Sequence, residues 1–345
     1  MKDGKHITMA FETSCDETSV AILQDGRQVL SNVISSQIPI HQAFGGVVPE
    51  IASRHHLENI NLVTDQAMME ACISWDEIDM VAATCGPGLV GALLIGLSTA
   101  KTIAYTLNKP LVGVDHRMGH VAANYIQHKD LQPPFTGLIV SGGHTAIVQV
   151  EDYNKWKQLG QTRDDAVGEA YDKVARVLGF GYPGGPKVEE AALGGDPKAI
   201  HFKRVYLERD QFDFSFSGIK TGVLNYINSE KQAGREILVA DVAAGFQEAV
   251  LEVLVEKAVR AAVKMGTGKL VLSGGVSANK RLRHMLKDAC RQASLTLYYP
   301  TSELCTDNAA MIGCTAYYKY MEGKRSELDL DAYPSLPTEY DYTKC

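Results

Sequence analysis

The feature that most constrains this sequence is an internal echo. A strand-like run, a short polar turn and a second strand-like run occupy residues 7–24, around Thr13-Ser14-Cys15-Asp16-Glu17-Thr18. The same pattern recurs at 135–150, around Ser141-Gly142-Gly143-His144-Thr145. Each copy opens one half of the chain, and Pro133-Pro134 punctuates the boundary. A repeated opening of this kind calls for two lobes of similar build. Turns rich in Gly, Ser and Thr expose backbone N–H groups and hydroxyls, so a pair of them reads as two jaws of a phosphate cradle. Either turn alone is ordinary hairpin chemistry.

With 345 residues, the chain has the length of about two domains. Apolar residues make up 45% and charged residues 22%, which excludes a disordered chain, a collagen-like repeat and a small disulfide scaffold. Strand-like segments at 7–12, 19–24, 29–37, 78–85, 111–114, 135–141, 145–150, 269–273 and 296–300 alternate with helical ones. The latter are expected at 49–72, 89–107, 116–128, 166–178, 236–265, 277–291 and 307–320. This alternation points to an α/β fold. Residues 182–186, Tyr-Pro-Gly-Gly-Pro, read as a tight loop, and the tail from Ser326 holds prolines and no periodicity.

The charge balance is 34 Lys+Arg against 41 Asp+Glu, a net −7, which is no footprint for strong autonomous nucleic-acid binding. A local basic patch or a partner would have to supply that. Basic segments lie at 201–209, 279–291 and 320–325. The segment Lys280, Arg281, Arg283, His284, Lys287, Arg291 is the best candidate for touching nucleic-acid phosphate, against the ordinary reading of a solvated helix face. The seven cysteines are scattered with no CxxC, so they read as free thiols in a reducing compartment. Residues 1–6 lack the apolar region of a signal peptide. The apolar run at 89–100 falls short of the roughly 20 residues of a membrane helix. The expected location is the cytoplasm, with no membrane partner.

Four motifs carry chemistry. In Asp115-His116-Arg117-Met118-Gly119-His120 the two histidines stand at i and i+4, on one face of a helix, where both could bind one metal ion. The spacing is that of HExxH, but the place of the general-base Glu is taken by Arg117, which disfavours a zinc peptidase. A third, oxygen ligand is wanted; Asp307 is a candidate, its ordinary alternative being the N-cap of the last helix. Second, Ser273-Gly274-Gly275-Val276-Ser277-Ala278-Asn279 follows an apolar strand and leads into a helix with Ser277 as its cap. With Ser141-Gly142-Gly143 it suggests one nucleotide held from two sides. Third, Gly86-Pro87-Gly88-Leu89-Val90-Gly91 is literally G-x-G-x-x-G, with Asp115 ending a later strand. Pro87 inside the turn and the three strands before it argue against a dinucleotide site, leaving a turn that lets a helix pack closely. Fourth, Asp172 and Lys173 lie on a helix next to the Pro-Gly-Gly-Pro loop. A solvated ion pair is the plain reading, and a ribose or amino-acid contact from Asp172 the functional one.

Taken together these residues resemble the TsaD/Gcp family, whose members make N6-threonylcarbamoyladenosine in tRNA. The resemblance runs from Phe11-Glu12-Thr13-Ser14-Cys15-Asp16-Glu17-Thr18-Ser19 through Pro49-Glu50-Ile51-Ala52-Ser53-Arg54, the His116/His120 pair, Ser141–Thr145, 168–173, 182–186, 273–279 and Thr306-Asp307-Asn308. It spans about residues 7–320 in the family's order. It implies an α/β fold of the actin/Hsp70/sugar-kinase type, two similar lobes with a central cleft. These would be residues 1–133 and 134–306, with a last helix at 307–322 packing back on the first lobe and a loose tail at 326–345.

The resemblance further implies one divalent metal ion per subunit, Fe2+ preferred and Zn2+ the alternative, held by His116, His120 and Asp307. Threonylcarbamoyl-AMP would be bound by the backbone of Ile139, Val140, Ser141, Gly142 and Gly143, and by Asp172, Gly185, Glu189 and Asn279. Glu189 stands where many members have Asp, and Arg117-Met118 where many have an acid between the histidines. No residue's context marks it as an obligatory general base. The implied partners are tRNA, a paralogous subunit TsaB and an ATPase TsaE, in a heterodimer or higher complex. Two rival classes are a metallopeptidase built on the His pair and a non-catalytic ATP-binding regulator.

Overall fold

The segment Ile-Thr-Met-Ala-Phe-Glu forms β1 (Ile7–Glu12), and all but its first residue are buried, as a central strand covered on both faces requires. The structure, a computed structural model, describes residues 4–208 and 210–336. After β1 the chain continues through β2 (Glu17–Gln24), β3 (Gln28–Ser36), the short α1 (Ile38–Gln42), α2 (Pro49–Ala71), β4 (Met80–Gly86), α3 (Val90–Leu107), β5 (Leu111–Asp115) and α4 (His116–Gln127). The sheet order is β3-β2-β1-β4-β5; β1 to β3 pair antiparallel, while β4 and β5 join parallel.

The second half starts again with β6 (Phe135–Val140), β7 (Thr145–Asp152) and β8 (Lys155–Gln161). Then come α5 (Val167–Val177), α6 (Gly184–Ala192), α7 (Ser217–Gln232), α8 (Val239–Met265), β9 (Lys269–Ser273), α9 (Lys280–Gln292) and β10 (Thr296–Tyr298). Its sheet order is β10-β9-β6-β7-β8, with β6–β7 antiparallel and β6–β9 and β9–β10 parallel. Read from the hairpin outward, the two sheets have the same order. The chain closes with α10 (Ser302–Cys305) and α11 (Ala309–Met321).

By packing, the described residues fall into two compact units. The first takes residues up to 133, the stretch 152–155 and everything from 300 on; the second takes 134–151 and 156–299. In the first, Met9, Phe11, Val20 and Ile22 of the sheet pack with Ile60 and Val63 of α2 and Leu93 and Leu97 of α3. In the second, Leu138, Ile147 and Leu272 pack with Tyr171 of α5 and a run of α8 that includes Phe246, Val250 and Leu254. Helix α3 is long and apolar enough to cross a membrane by composition, but its Leu93, Leu97, Ala100 and Ala104 belong to this core.

Several sequence expectations need correction. The segment from 300 to 306 packs with the first unit, not the second. The tail is not loose as far as it is described: Ser326 forms a bridge with Leu111, the Tyr333 N–H donates to Cys85 O at 2.7 Å, and Leu330, Ala332 and Leu336 enter the first core. This strap turns at 327–330, where Glu327 O accepts the Leu330 N–H at 3.1 Å, and it leaves Leu328 exposed while burying Leu330 and Ala332. Residues 337–345, and Arg209 at the end of the basic segment 201–209, lie outside the described residues. Helix α6 begins at Gly184, inside the presumed loop 182–186. Strand β8 and helix α7 were not foreseen; β8 is short and polar, and α7 has only Ile219, Val223 and Ile227 buried. Residues 275–278 form a 3-10 turn, so α9 starts later than expected and Asn279, not Ser277, caps it.

Candidate functional site

Strand β5 ends at Asp115, and that residue starts α4. Its carboxylate accepts the Arg117 backbone N–H at 2.8 Å and the Arg117 guanidinium at 3.1 and 2.7 Å. Arg117 is thereby committed to the helix N-cap, and no base occupies the position a HExxH peptidase needs. One turn of helix then sets His116 and His120 side by side, their ring centroids 4.6 Å apart. Asp307 precedes α11, whose N-cap is Asn308, accepting the Met311 N–H at 3.1 Å. The cap reading of Asp307 therefore gives way. Helix α11 packs on α4, β1 and β2. A Cβ added at Gly119 would lie 2.8 Å from Ile312 Cδ1; the missing side chain is what lets the two helices approach.

This packing brings the Asp307 carboxylate to 3.4 Å from His116 Nε2 and 3.3 Å from His120 Nε2. One donor atom from each of the three residues lies within 4.8 Å of the others. His116 Nδ1 is 3.0 Å from Glu12 Oε2 and 3.1 Å from Ser14 Oγ. Glu12 in turn accepts the Ser14 N–H at 2.6 Å and the Thr84 hydroxyl at 2.5 Å. Burial opposes charge on both Glu12 and His116. Their mutual attraction outweighs it, holding the carboxyl below its ordinary range and the imidazole well above. At His120 the balance is reversed: burial first, then the charge of His116, outweighs the pull of Asp307 and pushes it down to about 4. Both its ring nitrogens are buried without a hydrogen-bond partner among the described residues.

That is a costly arrangement unless a ligand completes it. A neutral imidazole with an unused nitrogen, a second imidazole turned by a carboxylate behind it, and an aspartate close to both suit a divalent cation by donor type and by convergence. The residues present fit a metal ion. Glu12 is the member that sequence reasoning missed; its only signal was its place at the end of an apolar strand next to a polar turn.

In the second unit the foreseen residues are linked through helix starts. Ser141 closes the β6–β7 turn by exchanging bonds with His144, N to O at 2.8 Å and Oγ from N–H at 3.1 Å. Its carbonyl accepts the Gly168 N–H at the start of α5. Helix α5 carries Asp172, whose Oδ1 accepts the Gly184 N–H at 2.7 Å where α6 begins. Helix α6 carries Gly185 and Glu189, and Glu189 accepts the Lys280 N–H at 2.6 Å where α9 begins. Asn279 caps α9 by accepting the Leu282 N–H at 2.8 Å and donates to Gln247 at 2.9 Å. Three helix N-termini are thus tied to the end of β6, a setting that favours an anion or a polar nucleotide edge.

Not every expected residue presents itself in the expected way. The side chains of Ile139 and Val140 are buried in β6, where the two residues pair with Ala146 and Thr145 and lead into the turn. Gly142 and Gly143 are exposed, and a Cβ at either would meet nothing within 4 Å. Lys173 bonds Asp165 and Glu169, not Asp172. Gly274 holds φ +90 with Val140 O 2.4 Å from where its Cβ would stand, which explains the glycine. The G-x-G-x-x-G glycines are packing positions: Cβ atoms at Gly86, Gly88 and Gly91 would strike Tyr333 O, Ser14 O and Ser53 Oγ at 2.1, 2.6 and 2.5 Å. The terminal strap lies where a dinucleotide would need to approach.

Comparison with known proteins gives the following. The family profile of TsaD, tRNA N6-adenosine threonylcarbamoyltransferase, matches residues 28–314. The tRNA N6-adenosine threonylcarbamoyltransferase of Clostridioides difficile is 56% identical over 330 residues, covering 96% of this chain and 98% of that protein. The protein of the same name from Clostridium perfringens is 52% identical over 332 residues, with 96% and 98% covered. Among solved structures, HypF of T. kodakarensis has a TM-score of 0.64 at 16% identity, over 92% of this chain and 48% of HypF. Component A of Acidaminococcus fermentans (R)-2-hydroxyglutaryl-CoA dehydratase has a TM-score of 0.52 at 14% identity, over 92% and 99%. These structural likenesses concern the fold alone, and they agree with the actin/Hsp70/sugar-kinase type.

Proposed function

The chain belongs to the TsaD family of tRNA N6-adenosine threonylcarbamoyltransferases, and we propose from that premise how its residues serve the transfer. It is an acyltransferase that moves the threonylcarbamoyl group from threonylcarbamoyl-AMP to N6 of the adenosine 3′-adjacent to the anticodon, in tRNAs reading codons that begin with A. The adenine N6 amine is a weak nucleophile because its lone pair is delocalised into the ring. The donor is therefore a mixed anhydride. A bond forms between N6 and the carbamoyl carbon, the bond from that carbon to the phosphate oxygen breaks, AMP leaves with the electron pair, and N6 gives up one proton.

His116, His120 and Asp307 would hold one divalent ion. That ion supplies a Lewis acid and template for oxygens of the donor. Between iron and zinc the donor set suits either; Fe2+ is our preferred assignment. Glu12 keeps His116 Nε2 turned toward Asp307 through its contact with Nδ1. The open backbone at Gly142 and Gly143 and the starts of α5, α6 and α9 would orient the adenylate and receive the charge that develops on departing AMP. Asp172, through Gly184, and Glu189, through Lys280, set the positions of those starts.

Partners complete the reading. With a net charge of −7 the isolated chain is a poor tRNA ligand, which supports assembly with TsaB and TsaE. The packed helices α2 and α3 expose Leu57, Leu62 and Met69, and Val90, Leu94 and Tyr105, apolar surface of the sort another subunit covers. The free cysteines suit a reducing cytoplasm. The observation that carries the proposal is the convergence of His116, His120 and Asp307 in a chain of this family. The test supplies threonine, bicarbonate, ATP, an adenylate-forming enzyme, the partner subunits and unmodified tRNA, and looks for modified nucleoside by mass spectrometry. His116→Ala is expected to abolish metal binding and transfer together; wild-type turnover by the purified variant would refute the assignment. Peptide hydrolysis sensitive to chelators would favour the metallopeptidase, and ATP binding without product the regulator.

A further inference from the structure

Helix α9 begins at the proposed adenylate rim and leads away from it along the second unit. Its buried positions are Leu282, Leu286 and Cys290. Lys280, His284, Lys287 and Arg291 follow a 4-3-4 spacing, which makes them one stripe on the opposite face. All four are exposed. At 1.5 Å per residue the stripe runs about 16 Å, room for more than one phosphate.

The other two arginines of the helix are committed elsewhere. Arg281 pairs with Glu248 at 2.7 Å, and Arg283 bonds Ser277 O at 2.6 Å and stacks over the Tyr299 ring. They brace the helix and take no part in the stripe. Asp288 is the helix's single acid, 3.5 Å from His284 and 3.6 Å from Arg291. The stripe is thus net positive on a chain of net charge −7. Its first member, Lys280, follows Asn279 and donates its backbone N–H to Glu189, so the stripe is continuous with the residues assigned to the adenylate.

We propose that Lys280, His284, Lys287 and Arg291 form a rail for the phosphate backbone of the RNA strand that delivers the target adenosine. The proposal rests on the transferase reading above. Phosphate contacts position a nucleic acid without reading its sequence, which suits an enzyme that acts on many tRNAs at one location.

The experiment uses the full chain with its partner subunits. Lys287→Glu/Arg291→Glu is compared with wild type and with Lys198→Glu/Lys231→Glu, the same charge change at exposed positions elsewhere in the second unit. Steady-state transfer is measured against tRNA concentration, and tRNA affinity against salt. The α9 variant is expected to raise KM for tRNA about tenfold with kcat held, and to reduce the slope of log K against log salt by about 1.5, since each of the two lost phosphate contacts accounts for about 0.7–0.9. The control pair should leave both unchanged. Equal effects from the two pairs, or an unchanged KM and slope in the α9 variant, would overturn the rail. Loss of subunit assembly with an unchanged tRNA slope would assign the stripe to an acidic protein partner and overturn it equally. Absence of product from wild type would instead sink the transferase reading.

Discussion

Gly119→Ala tests the link between helix packing and the metal ligands. The residue lies between the two histidines on α4, facing α11. Its new Cβ would stand 2.8 Å from Ile312 Cδ1 and 3.1 Å from Met311 Cγ, whereas ordinary contact begins at 3.4 Å. Ile312 must therefore yield by about 0.6 Å, and since Ile312 and Met311 are both fully buried, neither can swing into solvent. Overpacking of this kind costs about 1–3 kcal/mol, and replacing Gly by Ala in a helix returns about 1 kcal/mol. The net loss of stability should be about 0–2 kcal/mol, small enough to keep the protein folded. Asp307, just before α11, moves with that helix. Metal–ligand bonds are about 2.0–2.2 Å long, so a shift of about half an ångström lengthens one of three bonds beyond its useful range. Zinc affinity should fall at least about tenfold, or 1.4 kcal/mol. Urea unfolding and calorimetric titration with zinc measure the two quantities. A variant that binds zinc as wild type does would show that α4–α11 packing does not set the ligand geometry.

Two further outcomes are expected. Glu12→Gln preserves shape but removes the charge behind His116, and should weaken metal binding about 10–100-fold with the fold intact; unchanged affinity by titration would remove Glu12 from the site. Glu17 is raised to about 8, first by burial, with Oε2 buried and lacking a hydrogen-bond partner among the described residues. The folded state keeps a proton there that the unfolded chain releases above its ordinary value of 4.5. Its contribution is therefore full below that value and is lost as pH rises to about 8. Between pH 5 and 9, Glu17→Gln should lose less stability than wild type, by on the order of 3 kcal/mol. Parallel urea midpoints for the two proteins across that range would contradict this.

Much of this architecture was legible in one dimension because it is local. The short strand-like runs of β1, β2, β6 and β7, each pair split by a polar turn, mark the repeated hairpins, and the i, i+4 histidines need only a helix to become neighbours. Apolar β9 and the helical period of α9 were equally plain. Segments with little periodicity were misread. The strap at 326–336 is irregular and docks through Leu330, Ala332 and Leu336. Helix α7 buries a single thin stripe, and the start of α6 hides inside a Pro-Gly-Gly-Pro run that looks like a turn. The cap of α9 was misplaced because both Ser277 and Asn279 are good caps, and the 3-10 turn between them is a matter of backbone geometry.

The sequence by itself determined the α/β alternation, the doubled opening and the residue types able to hold a cation or an anion, since each depends on neighbours within a turn or a strand. Only the tertiary structure decided that Asp307 meets His116 and His120, that Glu12 stands behind His116, and that three helix starts are bonded in series to the end of β6. Those are contacts between residues far apart along the chain, and they follow from how α11 packs onto α4 and from the order of strands in each sheet, which no local pattern encodes.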